Sequence, residues 1–506
     1  MGTRSADADA DPFARPFTDP FADATTIAGA IREGRTGSRA VVEAYLDRIE
    51  RWAALNAVVT VDAGAARSAA DACDRAVRAG DRLGPLHGVP MTVKDAFAVA
   101  GMRSTSGLAE LAGDVPAQDA LVVARLRAAG AIVMGKSNVP PGITGQETAN
   151  ELFGRTLNPW DRGRTPGGSS GGAAAALAAG LTAAELGSDS GGSIRQPAHC
   201  CGVLGHVPTH GLVPTRGHRP QADEATAGKD VDLMTIGPLA RSAPDLRLLL
   251  GVVAGPDPAV DPGWRVDLPR EDRPLTGLRV AAWLDDPAHP TDRAVLDVLE
   301  ALADGLERAG VAVDRAARPG FALDDAVGVA LQLWTAASSD RTPAEDVERL
   351  RGELATGALH GLARLRARGE TMSHRDWLRL DGQRRALQRQ WQRFFDAHDV
   401  LLCPVIPVVA PRHDPELTGV PSVDHRLRRT IDVDGTARPY LDQLTWSIVP
   451  GMAGLPATVA PAGLSAGGLP VGVQIVGRRH ADLTTIAVAE GLAALTGGFR
   501  APPGCA

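Results

Sequence analysis

Two serines set in glycine are where this chain could do chemistry: Gly167-Gly168-Ser169-Ser170-Gly171-Gly172 and, 24 residues on, Asp189-Ser190-Gly191-Gly192-Ser193-Ile194-Arg195-Gln196-Pro197. Glycine beside a hydroxyl clears side chains from around it, permits φ > 0 and leaves backbone N–H groups free to point at an anion. A serine nucleophile whose reaction builds an oxyanion needs those conditions. The plain alternative is a pair of glycine-rich turns.

A serine needs a base. If no histidine is placed to serve, a lysine can, provided burial lowers its pKa so that the neutral amine is available. Lys94 is the candidate, because it ends an apolar run, Gly88-Val89-Pro90-Met91-Thr92-Val93-Lys94-Asp95. The chain has only three lysines, Lys94, Lys136 and Lys229, against fifty arginines. Arginine cannot be deprotonated and so cannot be the base. A lysine that snorkels to the surface is the competing reading.

Three other motifs compete with this one. Gly130-Ala131-Ile132-Val133-Met134-Gly135-Lys136-Ser137 fits the P-loop pattern. A P-loop, however, runs strand, loop, helix, and here the intervening residues are themselves a strand that follows a helix. Gly167-Gly168-Ser169-Ser170-Gly171 fits the G-x-S-x-G nucleophile elbow, which would make Ser169 the nucleophile. An elbow follows a buried strand, whereas residues 158–166, with two prolines and a glycine, read as loop. His199, Cys200, Cys201, His206 and His210 form a Cys/His cluster, but without a second paired set the spacing is poor for zinc. No metal and no cofactor is expected.

The elements that must position these residues alternate between helix and short strand, which favours an α/β architecture. Apolar spacing predicts helices over 39–52, 63–79 and 118–129, then a strand over 131–134 and a small-residue helix over 173–179. Residues 183–186 lead into the second serine segment. The proline-rich stretch 255–276 is a candidate linker that could separate two lobes. Beyond it follow a strand over 278–284, long helices over 292–309, 344–367 and 375–397, strands over 400–403 and 471–476, and a closing helix over 481–495. Residues 1–22, rich in Asp, Pro and Phe, read as an irregular arm.

The chain has 506 residues, is 44% hydrophobic and 22% charged, and carries a net charge of −7, the balance of an ordinary globular protein with no basic field for nucleic acid. Five scattered cysteines do not make a disulfide framework and point to a reducing compartment. With neither a signal-peptide pattern nor an apolar run of about 18 residues, the expectation is a cytoplasmic protein away from membranes.

The two serine segments and Val93-Lys94-Asp95, together with Leu86-His87-Gly88-Val89-Pro90, Gly135-Lys136-Ser137-Asn138, Asn158-Pro159-Trp160, Gly237-Pro238-Leu239-Ala240-Arg241 and Gly468-Leu469-Pro470-Val471-Gly472, resemble the amidase signature family of serine hydrolases over nearly the whole chain. The resemblance implies a single domain over 23–500 built on a large mixed, twisted β-sheet with helices on both faces. It implies Ser193 as nucleophile, Ser169 as bridging serine behind a cis peptide, and Lys94 as base. The oxyanion would be held by backbone N–H groups among Ser190, Gly191, Gly192 and Ser193. Ser170 would hydrogen-bond Lys94, and Asp189 and Arg195 would brace the loop. His206 stands where the family usually has lysine, outside the triad.

Region 320–445, where family members build varied acyl pockets, contains Trp334, Trp377 and Trp391, with Trp446 just beyond, and no motif that identifies a ligand. The implied activity is hydrolysis of a small or aryl amide through an acyl-enzyme. An ester or carbamate hydrolase with the same triad, or the glutaminase-type subunit of a tRNA-dependent amidotransferase, are the alternatives. The expected partner is a small-molecule substrate, and a homodimer stays open.

Overall fold

Apolar strands and amphipathic helices assemble around one large and one small sheet in the computed structural model, which describes residues 17–218, 232–415, 417 and 427–505. Lys229 and most of the N-terminal arm lie outside the described residues. The small sheet comprises β1 (Val58–Val61), β2 (Pro90–Lys94) and β3 (Ile132–Ser137), in the order β1-β3-β2. Strands β2 and β3 run parallel, with Lys94 opposite Ser137. A short hairpin, β4 (Ala149–Asn150) and β5 (Gly154–Arg155), follows.

The next strands are β6 (Glu185–Asp189), β7 (Leu204–Val207), β8 (Thr235–Ala240), β9 (Arg279–Ala282), β10 (Ala312–Asp314) and β11 (Val400–Pro404). After a separate hairpin of β12 (Thr430–Val433) and β13 (Thr436–Pro439) come β14 (Ala457–Leu464) and β15 (Pro470–Gly477). Eight of these form the large sheet in the order β10-β9-β11-β15-β14-β7-β8-β6. It is mixed, parallel across β10-β9-β11 and antiparallel from there to β6. Every residue of β6, β7, β8, β11 and β15 is buried, so both faces are covered, as near-continuous apolar strands require.

The helices Gly171–Ala178, Arg195–Cys201, Ala243–Val253 and Asp482–Thr496 pack on the sheet. Gly171–Ala178 is buried on every side, which only a helix of small residues so close to its neighbours allows. The proline-rich stretch 255–276 runs between β8 and β9, two strands of one sheet. The helix expected over 344–367 is two helices, Ala344–Thr356 and Gly361–Glu370, because Gly357 takes φ +71° and ends the first. No described helix is long and apolar enough to cross a membrane.

The small sheet docks against β6 through side chains. The Thr92 N–H donates to Thr182 Oγ1 at 2.9 Å, and its hydroxyl donates to Glu185 Oε1 at 2.5 Å. Strand periodicity puts Lys94 on the same face as Thr92, so this docking aims the lysine at β6.

Candidate active site

Lys94, the last residue of β2, is fully buried. Its Nζ stands 2.7 Å from Ser169 Oγ, 3.0 Å from Ser188 Oγ and 3.2 Å from the Ser188 carbonyl oxygen. Burial lowers the amine from its ordinary 10.5 to about 7, against the opposing pull of Asp189 and Glu185. A neutral amine is therefore accessible near neutral pH. Glu185, beneath the same sheet junction, is raised by burial to about 7 despite the hydrogen bond from the Thr92 hydroxyl.

Ser169 follows the loop 158–166 and precedes the helix Gly171–Ala178, and the Gly168–Ser169 peptide is cis. Gly168 has no room for a side chain: a methyl built on it would lie 2.5 Å from Gly145 O and 2.9 Å from Glu147 N. The segment around Gly145 thus presses directly on the residue that carries Ser169.

The second serine segment is pinned by Asp189, the last residue of β6. Its carboxylate accepts from the N–H groups of Gly192 at 2.7 Å and Ile194 at 2.9 Å, and pairs with Arg195 at 2.7 Å. Burial pushes this carboxyl up, but Arg195 and the two N–H groups outweigh it and hold its pKa below the usual value. Arg195 also donates to Ser447 O at 2.6 Å and to Gln474 Oε1 at 2.9 Å, tying the loop to β15. Gly192 takes φ +121°, a conformation that favours glycine.

This pinning corrects one expectation. The Gly192 N–H is taken by Asp189, which leaves the N–H groups of Ser190, Gly191 and Ser193 without a protein acceptor among the described residues. A second correction concerns Ser170, which does not reach Lys94. Its hydroxyl turns to the Ser188 carbonyl oxygen at 3.4 Å, and its N–H donates to Ser193 O at 3.1 Å, fastening the two serine segments together. Beside Ser169, the residue that reaches Lys94 is instead Ser188.

Ser193 is partly exposed, and among the described residues its hydroxyl takes no hydrogen bond. It lines a pocket of about 160 Å³ together with Gly168, Ser169, Ser190 and Gly191. Lys94 lies behind Ser169. The apolar wall comprises Ile143, Met234, Trp334, Leu441 and Leu444. Trp334, on the helix Leu323–Ala336, donates its indole N–H to Ser190 Oγ at 3.2 Å. Trp391 and Trp446 belong to the hydrophobic core, and Trp377 lies under the Arg384 guanidinium. Of the four tryptophans weighed from the sequence, only Trp334 reaches the pocket.

The competing motifs find other uses. Lys136 is buried in β3, paired with Asp95 at 3.1 Å and donating to Phe97 O at 2.6 Å, so the P-loop look-alike is strand and ion pair. His199 is locked between backbone groups, its Nδ1 accepting from the Gly472 N–H at 3.0 Å and its Nε2 3.1 Å from Val408 O. His206 faces Thr458 and Asp482, and burial pushes the Cys200 thiol up to about 12. Among the described residues no group of three His, Cys, Asp or Glu could hold a metal ion.

Ser188 and His218 were not legible as site residues. Ser188 directly precedes the second serine segment but is not part of it, and His218 sits 25 residues past Ser193 with no motif around it. Period-two alternation from Leu186 could have flagged Ser188, and nothing local flags His218.

Comparison with known proteins places the chain in a family. A family model for amidases matches residues 40–486. One glutamyl-tRNA(Gln) amidotransferase subunit, from Thermosynechococcus vestitus, is 33% identical over 91% of this chain and 94% of its own. An indoleacetamide hydrolase of Bradyrhizobium diazoefficiens is 33% identical over 92% of this chain and 85% of its own. The crystal structure of a bacterial aryl acylamidase of the amidase signature family superposes with a TM-score of 0.75 at 25% identity, over 94% of this chain and 96% of that one. With the family match, the mixed eight-stranded sheet and these relatives in agreement, the chain belongs to the amidase signature family of hydrolases.

Proposed function

We propose that this protein hydrolyses the amide bond of a small, uncharged substrate through an acyl-enzyme on Ser193. The observation that carries the proposal is the buried Lys94 amine 2.7 Å from Ser169 Oγ, behind the pocket that Ser193 lines. Neutral Lys94 takes the Ser169 proton as Ser169 takes that of Ser193, and Ser193 Oγ bonds to the substrate carbonyl carbon. The negative charge formed on the carbonyl oxygen faces the N–H groups of Ser190, Gly191 and Ser193, each such donor being worth about 2.7–4 kcal/mol in comparable sites. The relay then runs backwards: Lys94 returns the proton through Ser169 to the amine nitrogen, the C–N bond breaks and the amine departs. Water repeats the attack on the ester and releases the acid.

The pocket favours an uncharged acyl group. Asp232 is paired with Arg384 at 2.9 Å, and Arg366 and Glu370 are locked to each other at 2.6 and 2.9 Å, so these lining charges are already matched within the chain. The remaining wall is largely apolar, and about 160 Å³ is close to the ~150 Å³ that accommodates a benzene ring. The glutaminase reading has its own support in the 33% identity to the amidotransferase protein.

A panel of aryl amides, aryl esters, carbamates and glutamine, run with the wild type and Ser193→Ala, tests the proposal. Aryl amide turnover that vanishes in Ser193→Ala is expected. Wild-type turnover by Ser193→Ala overturns the nucleophile. Hydrolysis of glutamine with none of the aryl amides would favour the glutaminase reading, and carbamates or esters alone the other.

A further inference from the structure

We propose that His218 is a positioning residue for this reaction: through the Ser188 hydroxyl it fixes which way the Lys94 amine points. The inference rests on the function proposed above and adds a fourth group to the proton relay.

Donors and acceptors around the amine must balance. A neutral lysine amine has one lone pair and two N–H groups, and among the described residues three polar atoms stand within hydrogen-bond distance of Lys94 Nζ: Ser169 Oγ, Ser188 Oγ and the Ser188 carbonyl oxygen. To act as base, the lone pair must face the Ser169 hydroxyl. The carbonyl oxygen can only accept, so it takes one N–H. Ser188 Oγ must take the other, which means that it accepts from Lys94 and must send its own hydrogen elsewhere.

His218 Nε2 stands 2.9 Å from Ser188 Oγ, where it can receive that hydrogen. Receiving it requires the tautomer with the proton on Nδ1. The residue is well held: it is 7% exposed, its ring meets Phe97 edge-on at 5.2 Å, its backbone N–H donates to Thr215 O at 2.9 Å, and its backbone bridges that of Phe97. Without an acceptor at this place, the Ser188 hydrogen is free to turn onto the Lys94 lone pair and compete with Ser169 for it. A directional chain thus runs His218, Ser188, Lys94, Ser169, and the imidazole end sets its direction.

Amide and ester substrates separate this role from a structural one, because an activated ester has a leaving group that needs little protonation. His218→Phe keeps an aromatic ring against Phe97 and removes the acceptor. Its kcat on an aryl amide is expected to fall about 30-fold, part of the ~10²–10⁴ that positioned proton transfer contributes, with KM within about twofold and the loss on an activated aryl ester below about threefold. His218→Gln, whose amide oxygen can stand near the Nε2 position, is expected to restore most of the amide turnover. Ser188→Ala is expected to show the same amide-selective loss, and Ser188→Ala combined with His218→Phe to lose no more than Ser188→Ala alone, the mark of groups acting as one unit.

Wild-type amide turnover by His218→Phe in an enzyme that Ser193→Ala inactivates overturns the inference. So do equal losses on amide and ester, or additive losses in the double variant. If His218→Phe does not fold, His218→Leu takes its place under the same criteria. Retained turnover in Ser193→Ala would instead overturn the proposed function, so the two failures are distinguishable.

Discussion

Lys94 ends strand β2 with its amine fully buried, 2.7 Å from Ser169 Oγ. Its depressed pKa makes a pH prediction. Below about 7 the amine is protonated and cannot accept the Ser169 proton, so kcat/KM for an amide should fall about tenfold per pH unit on the acid side and level off above about 7. A pH–rate profile checks this, and a flat profile between pH 5 and 8 would contradict Lys94 as base. Lys94→Arg, which cannot deprotonate, should lose about 10²-fold or more in amide turnover. Ser169→Ala should hurt amide hydrolysis more than activated-ester hydrolysis, because the bridge is needed most where the leaving amine must be protonated. The second partner of Lys94 was not legible. Ser170 adjoins Ser169 in sequence, but the start of the helix turns its hydroxyl to the Ser188 carbonyl oxygen, while Ser188 reaches Lys94 from a neighbouring strand.

At the scale of elements, the loop between β6 and the helix Arg195–Cys201 is shaped by one carboxylate. Asp189 holds Gly192, Ile194 and Arg195 at once, all buried. Removing one partner of a buried pair leaves the other charge uncompensated, so Arg195→Met should cost about 3–5 kcal/mol of stability, read from the urea midpoint. A change below about 1 kcal/mol would mean that the pair is dispensable. Gly168→Ala should disrupt the site more than its one methyl suggests, because that methyl meets the backbone of residues 145–147. Helix periodicity made most elements readable, as at 63–79, where the observed helix is Ala63–Ala79. It failed at 344–367, where apolar spacing carries straight through Gly357 although the backbone there turns left-handed.

Across the whole molecule, β6, β8, β9 and β15 come from distant parts of the chain and share one sheet. His199 joins these parts, lying between Gly472 of β15 and Val408, and burial lowers it from 6.5 to about 4. Its folded-state pKa lies below its unfolded one, so between pH 6.5 and about 4 the unfolded chain binds more protons and stability falls as pH falls. The loss should reach roughly 3 kcal/mol at about 1.4 kcal/mol per unit. Glu185, raised to about 7, works in the opposite direction over part of this window. The clean measurement is therefore the difference between wild type and His199→Gln, in which the Glu185 contribution cancels. That difference should shift by roughly 3 kcal/mol against the wild type between pH 7 and 4, and a constant difference would show that His199 is not the titrating group. By itself the sequence determined the family, the two serine segments, the strand-borne lysine and the alternation of helix and strand, because these depend on residue type and on spacing within a few turns. Only the tertiary structure decided that Gly192 gives its N–H to Asp189, that Ser188 faces Lys94 with His218 behind it, and that Trp334 alone of four tryptophans reaches the pocket. Each of these is a contact between segments brought together by sheet pairing and helix packing, and no local pattern along the chain encodes which side chains will meet there.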